Sequence, residues 1–316
     1  MSSASPESRR SLLPEDQGAW FPVIEGLPRP DWEKINAWID EHCPDRPCKD
    51  EAWDQAAVAW LGRLAEALGP KYEIHGSERF LLLFSGPDDL AREILAAAEG
   101  TREAVFSLLG DVAWTQFRAR DVVIALDTPE NYYTYTSYFI TEEGELGASA
   151  GMFLAKGYPH IAIQHTERAV PLGTITHELV HRALGHLSLP SWADEGLAVA
   201  ITAETEARWV RWERGQDYWW QGERIQAFWS GEAFHRPESA DVAYRLAYLF
   251  IRQTARNQGF KEFIRHAGAD DAGAAAAREH LGMSLGKALS SLLGERDWEP
   301  QPQKWDRDAE KGGPEK

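Results

Sequence analysis

The sequence predicts an α+β fold, a small mixed sheet followed by a mainly helical region. Three observations lead there. Residues 78–186 alternate apolar strand-like runs with helical stretches. That region ends in an amphipathic helix carrying His177-Glu178-Leu179-Val180-His181. Residues 191–298 then show helical periodicity over most of their length.

Residues 1–30 are rich in Ser, Pro and Glu and lack periodicity, so they read as a mobile tail, docked at most through Trp20 and Phe21. A helical segment covers 31–75. Trp32, Ile35, Trp38 and Ile39 recur at helical spacing, as do Trp53, Ala57, Trp60, Leu61, Leu64 and Leu68, which marks them as core. The catalytic domain is expected over 76–300. Its first part, 76–186, opens with a buried strand, Arg79 to Phe84. Asp88 to Leu109 is helical with an interruption near Gly100, Asp121 to Leu126 is a second strand, and Asn131 to Phe139 is a short helix or loop. Ala150 to Ala155 and His160 to Gln164 form a hairpin around Lys156-Gly157-Tyr158-Pro159. His160 and His165 read as surface histidines of that hairpin. The second part, 187–300, is a helical subdomain, and 301–316 is a disordered tail.

The chain of 316 residues, with fourteen Trp, can bury ample core. A net charge of −17 argues against nucleic acid and anionic membrane as partners. The N-terminus shows no signal-type apolar segment and no run approaches membrane-spanning length, so a cytoplasmic location is expected. Cys43 and Cys48 read as free thiols, a local disulfide, or a thiolate that occupies a metal.

The chemistry is carried by the helix at 177–181. Residues four apart lie one turn above each other, so the imidazoles of His177 and His181 can share one ion. Glu178 points about 100° round the helix, beside that ion, where a base for an attacking water belongs. A hydrolytic zinc site takes three protein ligands. Glu195, in Pro190-Ser191-Trp192-Ala193-Asp194-Glu195-Gly196-Leu197-Ala198, is the expected third. Gly185 stops the first helix and a short loop returns the chain. Ser191 and Asp194 have the spacing of a capping box. His186 and Asp194 are the other candidates for third ligand, but Asp194, adjacent to Glu195, is expected to point elsewhere on the helix.

The pairing of His-Glu-x-x-His with Trp-x-x-Glu-Gly-Leu-Ala resembles the gluzincin zinc metallopeptidases, specifically their peptidase-MA-like group. The resemblance spans about 76–298 and is tight over 171–200. It implies a zincin-like fold with the sheet packed on the His-Glu-x-x-His helix, a Zn²⁺ cofactor, and a peptide or protein substrate, pairing with an edge strand near Gly151 to Leu154. It also implies a Tyr on a later helix facing the site, for which Tyr244 is the best match and His235 the alternative, as hydrogen-bond donor to the developing oxyanion.

The chain departs from better-known branches. The segment Gly147 to Met152 lacks the acidic residue that anchors an amino terminus in aminopeptidase-N-like enzymes. Val199 stands where a thermolysin-like enzyme has the Asp that orients its first His. His186 does not fit the metzincin spacing. The aromatics between Arg208 and His235 read either as core or as a wall over the cleft. Two rival readings stay open, a zinc hydrolase of a non-peptide amide or ester and a catalytically silent binding protein of the same fold. The oligomeric state is not legible.

Overall fold

The structure, a computed structural model, describes residues 11–113, 119–139, 150–165, 171–205, 219–222 and 224–307. It is α+β. In chain order the main elements are β1 (Val23–Ile24), β2 (Leu27–Pro28), α1 (Trp32–His42), α2 (Arg46–Leu68), β3 (Glu73–Gly76), β4 (Phe80–Phe84), α3 (Asp88–Leu109), β5 (Asp121–Leu126), α4 (Pro129–Thr136), β6 (Gly151–Leu154) and β7 (His160–Gln164). They continue with α5 (Leu172–Leu184), α6 (Ser191–Thr205), α7 (Arg224–Ser230), α8 (Glu232–His235), α9 (Ala240–Thr254), α10 (Phe260–His266), α11 (Ala274–Ala276) and α12 (Leu285–Leu293). The chain divides into two units, residues 1–99 with 116–175 and residues 100–115 with 176–316. The division falls inside α3 and inside α5.

The first unit is built on a five-stranded mixed sheet, ordered β3-β4-β5-β7-β6. The inner strands β4, β5 and β7 are parallel, and β3 and β6 close the two edges antiparallel. Phe80 to Phe84 and Val122 to Leu126 are buried without alternation, as expected for strands covered on both faces. The β6–β7 hairpin pairs Gly151 with Ile163 and Leu154 with His160. Its turn needs Gly157, which has φ +80° and whose missing Cβ would lie 2.0 Å from Trp32. Local caps start the helices. Asp31 accepts from the Lys34 amide, Asp45 from the Cys48 amide and Thr128 from the Asn131 amide.

Several expectations are corrected here. Residues 11–30 are no mobile tail: Leu13, Trp20, Phe21 and Leu27 are buried in the core of the first unit. They supply single anchors rather than a periodic face, which is why no pattern betrays them. Helix α3 runs unbroken through Gly100, since one helical Gly costs only about 1 kcal/mol. His160 and His165 are not surface residues; they are 1% and 3% exposed. His160 Nδ1 donates to the Tyr158 carbonyl at 2.7 Å, and the Tyr135 hydroxyl donates to its Nε2, also at 2.7 Å. His165 Nε2 lies 3.3 Å from the Ser85 hydroxyl. Cys43 and Cys48 are free thiols, and burial together with the Cys48 side chain pushes the Cys43 thiol up to about 11. Residues Pro302–Arg307 form a 3-10 turn, and the Trp305 indole donates to Gln226 Oε1 at 3.1 Å.

The second unit is helical. Its core centres on Trp192, Phe228, Trp229, Phe250 and Phe263, with ring centroids 4.9–6.4 Å from Trp192. Thr101 and Thr176 hydroxyls meet at 3.0 Å, joining the end of α3 to α5. Helices α6 and α9 pack closely at Gly196, where a Cβ would lie 2.8 Å from the Ala247 carbonyl oxygen and 2.7 Å from Ile251. Trp220, Phe228, Trp229 and Phe234 are buried, so these members of the aromatic stretch are core. Trp209, Trp212 and Tyr218 lie outside the described residues. No helix among the described residues is long and apolar enough to cross a membrane.

Two outcomes are expected. Gly196→Ala overpacks the α6–α9 contact and lowers unfolding free energy by about 1–3 kcal/mol in denaturant titration, despite the better helix propensity of Ala. Burial, opposed by the Tyr158 carbonyl and aided by the Arg29 charge, holds His160 down at about 4. The unfolded chain, with its ordinary imidazole pKa, therefore binds the proton more readily. Stability is intact above pH ~6.5 and falls by about 3 kcal/mol as pH drops toward ~4. Comparison of Tm against pH for the protein and His160→Gln isolates this slope, which the variant should lack.

Candidate metal centre

Helix α5 places His177 and His181 one turn apart, and Val180 and Leu184, on the flank and C-terminal continuation of the same face, are buried. The chain leaves α5 after Leu184, and α6 begins on the Pro190 carbonyl, which accepts from the Ala193 and Asp194 amides. Trp192 fixes that first turn. It is fully buried, and its indole donates to the Ala272 carbonyl at 3.0 Å. The next turn therefore presents Glu195 to α5.

The three predicted ligand atoms converge. His177 Nε2 and His181 Nε2 are 3.1 Å apart, and Glu195 Oε2 lies 3.2 Å from the first and 3.6 Å from the second. All three side chains are partly buried, between 14% and 23% exposed. The edges of a tetrahedron with metal–ligand bonds near 2.0–2.1 Å are roughly 3.3–3.4 Å. The observed triangle has that size.

Asp194 supplies what sequence reading missed. Its Oδ2 is 3.0 Å from His181 Nδ1. Rather than serving a capping box, this carboxylate orients the imidazole, accepting the Nδ1 proton and leaving the Nε2 lone pair free to face the triangle. The Asp does the orienting from the residue before the third ligand, not from four residues after it, where Val199 stands. Only the tertiary direction of α6 reveals this.

The electrostatics agree. Burial disfavours a charged His181, but the Asp194 and Glu195 carboxylates outweigh it and raise the imidazole well above its ordinary range. Burial alone would raise Glu195; His177 and His181 outweigh that and hold it at about 2. Glu195 Oε2 is nonetheless buried with no hydrogen-bond partner. A buried carboxylate oxygen faced at 3.2 and 3.6 Å by two imidazole nitrogens fits a shared cation. The nitrogen, nitrogen and carboxylate set suits zinc.

Tyr244, on α9, reaches the same place. Its ring centroid is 6.4 Å from that of His177, and Phe234 packs edge-on against it at 5.3 Å. Burial, then the charges of Glu195 and Glu178, raise the phenol well above its usual value, so it stays a neutral O–H donor. Glu178 is half-buried on α5. His235, the alternative donor, is exposed at the end of α8. The segment Gly147 to Ser149 lies outside the described residues. A second His/carboxylate group, Glu73, His75 and Asp88, was not anticipated, and both of its carboxylates are exposed.

No protein-family model matches the chain, and no curated protein matches it.

Asp194→Asn should weaken divalent-metal affinity at this cluster roughly 10–100-fold while leaving the fold intact. Competition against a chromophoric chelator measures this. His181→Ala should lose stoichiometric metal binding altogether.

Proposed function

We propose that the chain is a zinc-dependent metallopeptidase of the gluzincin type, with a zincin-like fold. The observation that carries this reading is the convergence of His177 Nε2, His181 Nε2 and the unpartnered Glu195 Oε2 on one small triangle. A mixed sheet, a His-Glu-x-x-His helix and a following helical unit are consistent with that fold. So is β6 as an edge strand, which leaves one row of backbone groups for an extended peptide.

Bound zinc would supply a Lewis acid and lower the pKa of the water it holds. The chain's own residues do the rest. The Glu178 carboxylate, one position past a ligand on α5, accepts a proton from the attacking water and passes it to the departing nitrogen. Tyr244, kept neutral by burial and by two neighbouring carboxylates, donates its O–H to the carbonyl oxygen as charge develops there. Asp194 holds His181 in the tautomer that ligates. The net charge of −17 is compatible with a protein or peptide substrate and disfavours nucleic acid.

The roles separate by variant. Glu178→Gln should retain one zinc per chain while cleavage of a denatured protein falls roughly 10²–10⁴-fold. Tyr244→Phe should lower kcat roughly 10²–10³-fold with little change in KM. Zinc bound by Glu195→Ala at unchanged affinity would refute the ligand set. Ester turnover without peptide cleavage would move the reaction to the non-peptide alternative.

A further inference from the structure

The first unit holds a second chemistry, independent of the metal centre. Arg29 follows β2 and is 3% exposed. A guanidinium stays protonated even when burial lowers its pKa, as it does here. A cation so deeply buried normally faces a carboxylate. No carboxylate among the described residues is in ion-pair contact with Arg29, and the Glu25 charge acts on it only without direct contact. Its Nη1 and Nη2 donate to the carbonyls of Tyr135 and Thr134, at 3.0 and 2.9 Å, and its Nε has no acceptor. The rings of Tyr138, Tyr135 and Phe139 lie 4.4, 5.0 and 5.5 Å from the guanidinium carbon.

These contacts compensate the charge only in part. The two carbonyls belong to the last turn of α4, whose negative end is worth about half a charge. Ring faces add a weak attraction. One N–H donor, Nε, is left over with no acceptor on the protein.

Beside the guanidinium is a cavity of about 50 Å³, walled by Trp32, Trp60, Tyr138 and Phe139. Lys156, from the β6–β7 turn, lines it as a second cation, with its Nζ 5.8 Å from the Tyr138 ring. None of the described residues lining it is acidic. Two positive groups therefore border one small aromatic chamber whose described lining holds no carboxylate. The volume corresponds to roughly four water positions. That admits a flat group of a few heavy atoms. A carboxylate has the planar two-oxygen edge that matches a guanidinium.

We infer that this cavity is a binding site for a small free carboxylate, held by Arg29 and Lys156 between aromatic walls. Affinity should be modest, because so small a ligand offers few contacts.

Isothermal titration of the full chain with acetate, acetamide and inorganic phosphate, at fixed ionic strength, tests this. Acetate should bind roughly tenfold or more tightly than its neutral isostere acetamide and than phosphate. Arg29→Gln should abolish acetate binding. Because that substitution removes donors from two buried carbonyls, circular dichroism must accompany it. Lys156→Glu, at an exposed position, tests the same site without that burden and should weaken acetate roughly tenfold. Equal affinity for acetate and acetamide, phosphate bound in preference to acetate, or acetate binding unchanged in a folded Lys156→Glu protein would each overturn the inference.

Discussion

Three lone-pair atoms, two imidazole nitrogens and a carboxylate oxygen, are held within about one van der Waals contact of each other, and the architecture around them exists to keep them there. Such an arrangement is repulsive unless a cation is shared among the three. Without a metal, a proton is the available cation. That is why His181 is driven up and Glu195 down in the same cluster. The lone pairs that share a proton here are the ones a metal ion would use, which is why the cluster is a candidate metal site. Asp194 serves both purposes. The negative charge that raises the basicity of His181 also makes its Nε2 a better ligand.

The geometry depends on two packing decisions in the second unit. Trp192 is locked by its hydrogen bond to Ala272 and by the ring cluster around it, so the start of α6 cannot rotate. Gly196 then lets α9 approach until the Ala247 carbonyl would collide with any side chain there. That close crossing brings Tyr244 beside Glu195. The Trp-x-x-Glu-Gly pattern is thus one mechanical unit, with an anchor, a ligand and a contact point on successive faces of one helix turn. The neighbouring aromatics, Phe228, Trp229 and Phe234, are spent on that anchor, so this part of the aromatic-rich stretch forms core rather than a wall over a cleft.

Local periodicity made some of this legible and left the rest hidden. The convergence of His177 and His181 follows from helical geometry alone. Glu195 was readable because a short loop must return α6 toward α5. Asp194 was not, because the direction of one side chain near a helix start depends on how the two helices face each other, and a capping box competed for the same residue. The inner strands announced themselves as continuous apolar runs, whereas His160 and His165 looked like surface residues because polar side chains on short strands usually are. Their burial rests on Tyr135 and Ser85, which are distant in sequence. Residues 11–30 dock by isolated anchors, a mode that carries no period to detect.

The first unit shows how two basic side chains respond differently to the same desolvation. His160 and Arg29 are both almost fully buried, and both touch Tyr135. An imidazole can discard its proton. His160 does so, donating from Nδ1 and accepting at Nε2, and the charge on Arg29 pushes it further in that direction. A guanidinium has no such exit. Its charge must be met by partners, and carbonyl oxygens and ring faces meet only part of it. The residual positive potential is confined between aromatic walls, where the low dielectric keeps it from being screened. His160 is thus neutral chiefly because it is buried, with the Arg29 charge adding to that, while Arg29 keeps its charge beside a chamber whose described lining holds a second cation, Lys156, and no carboxylate.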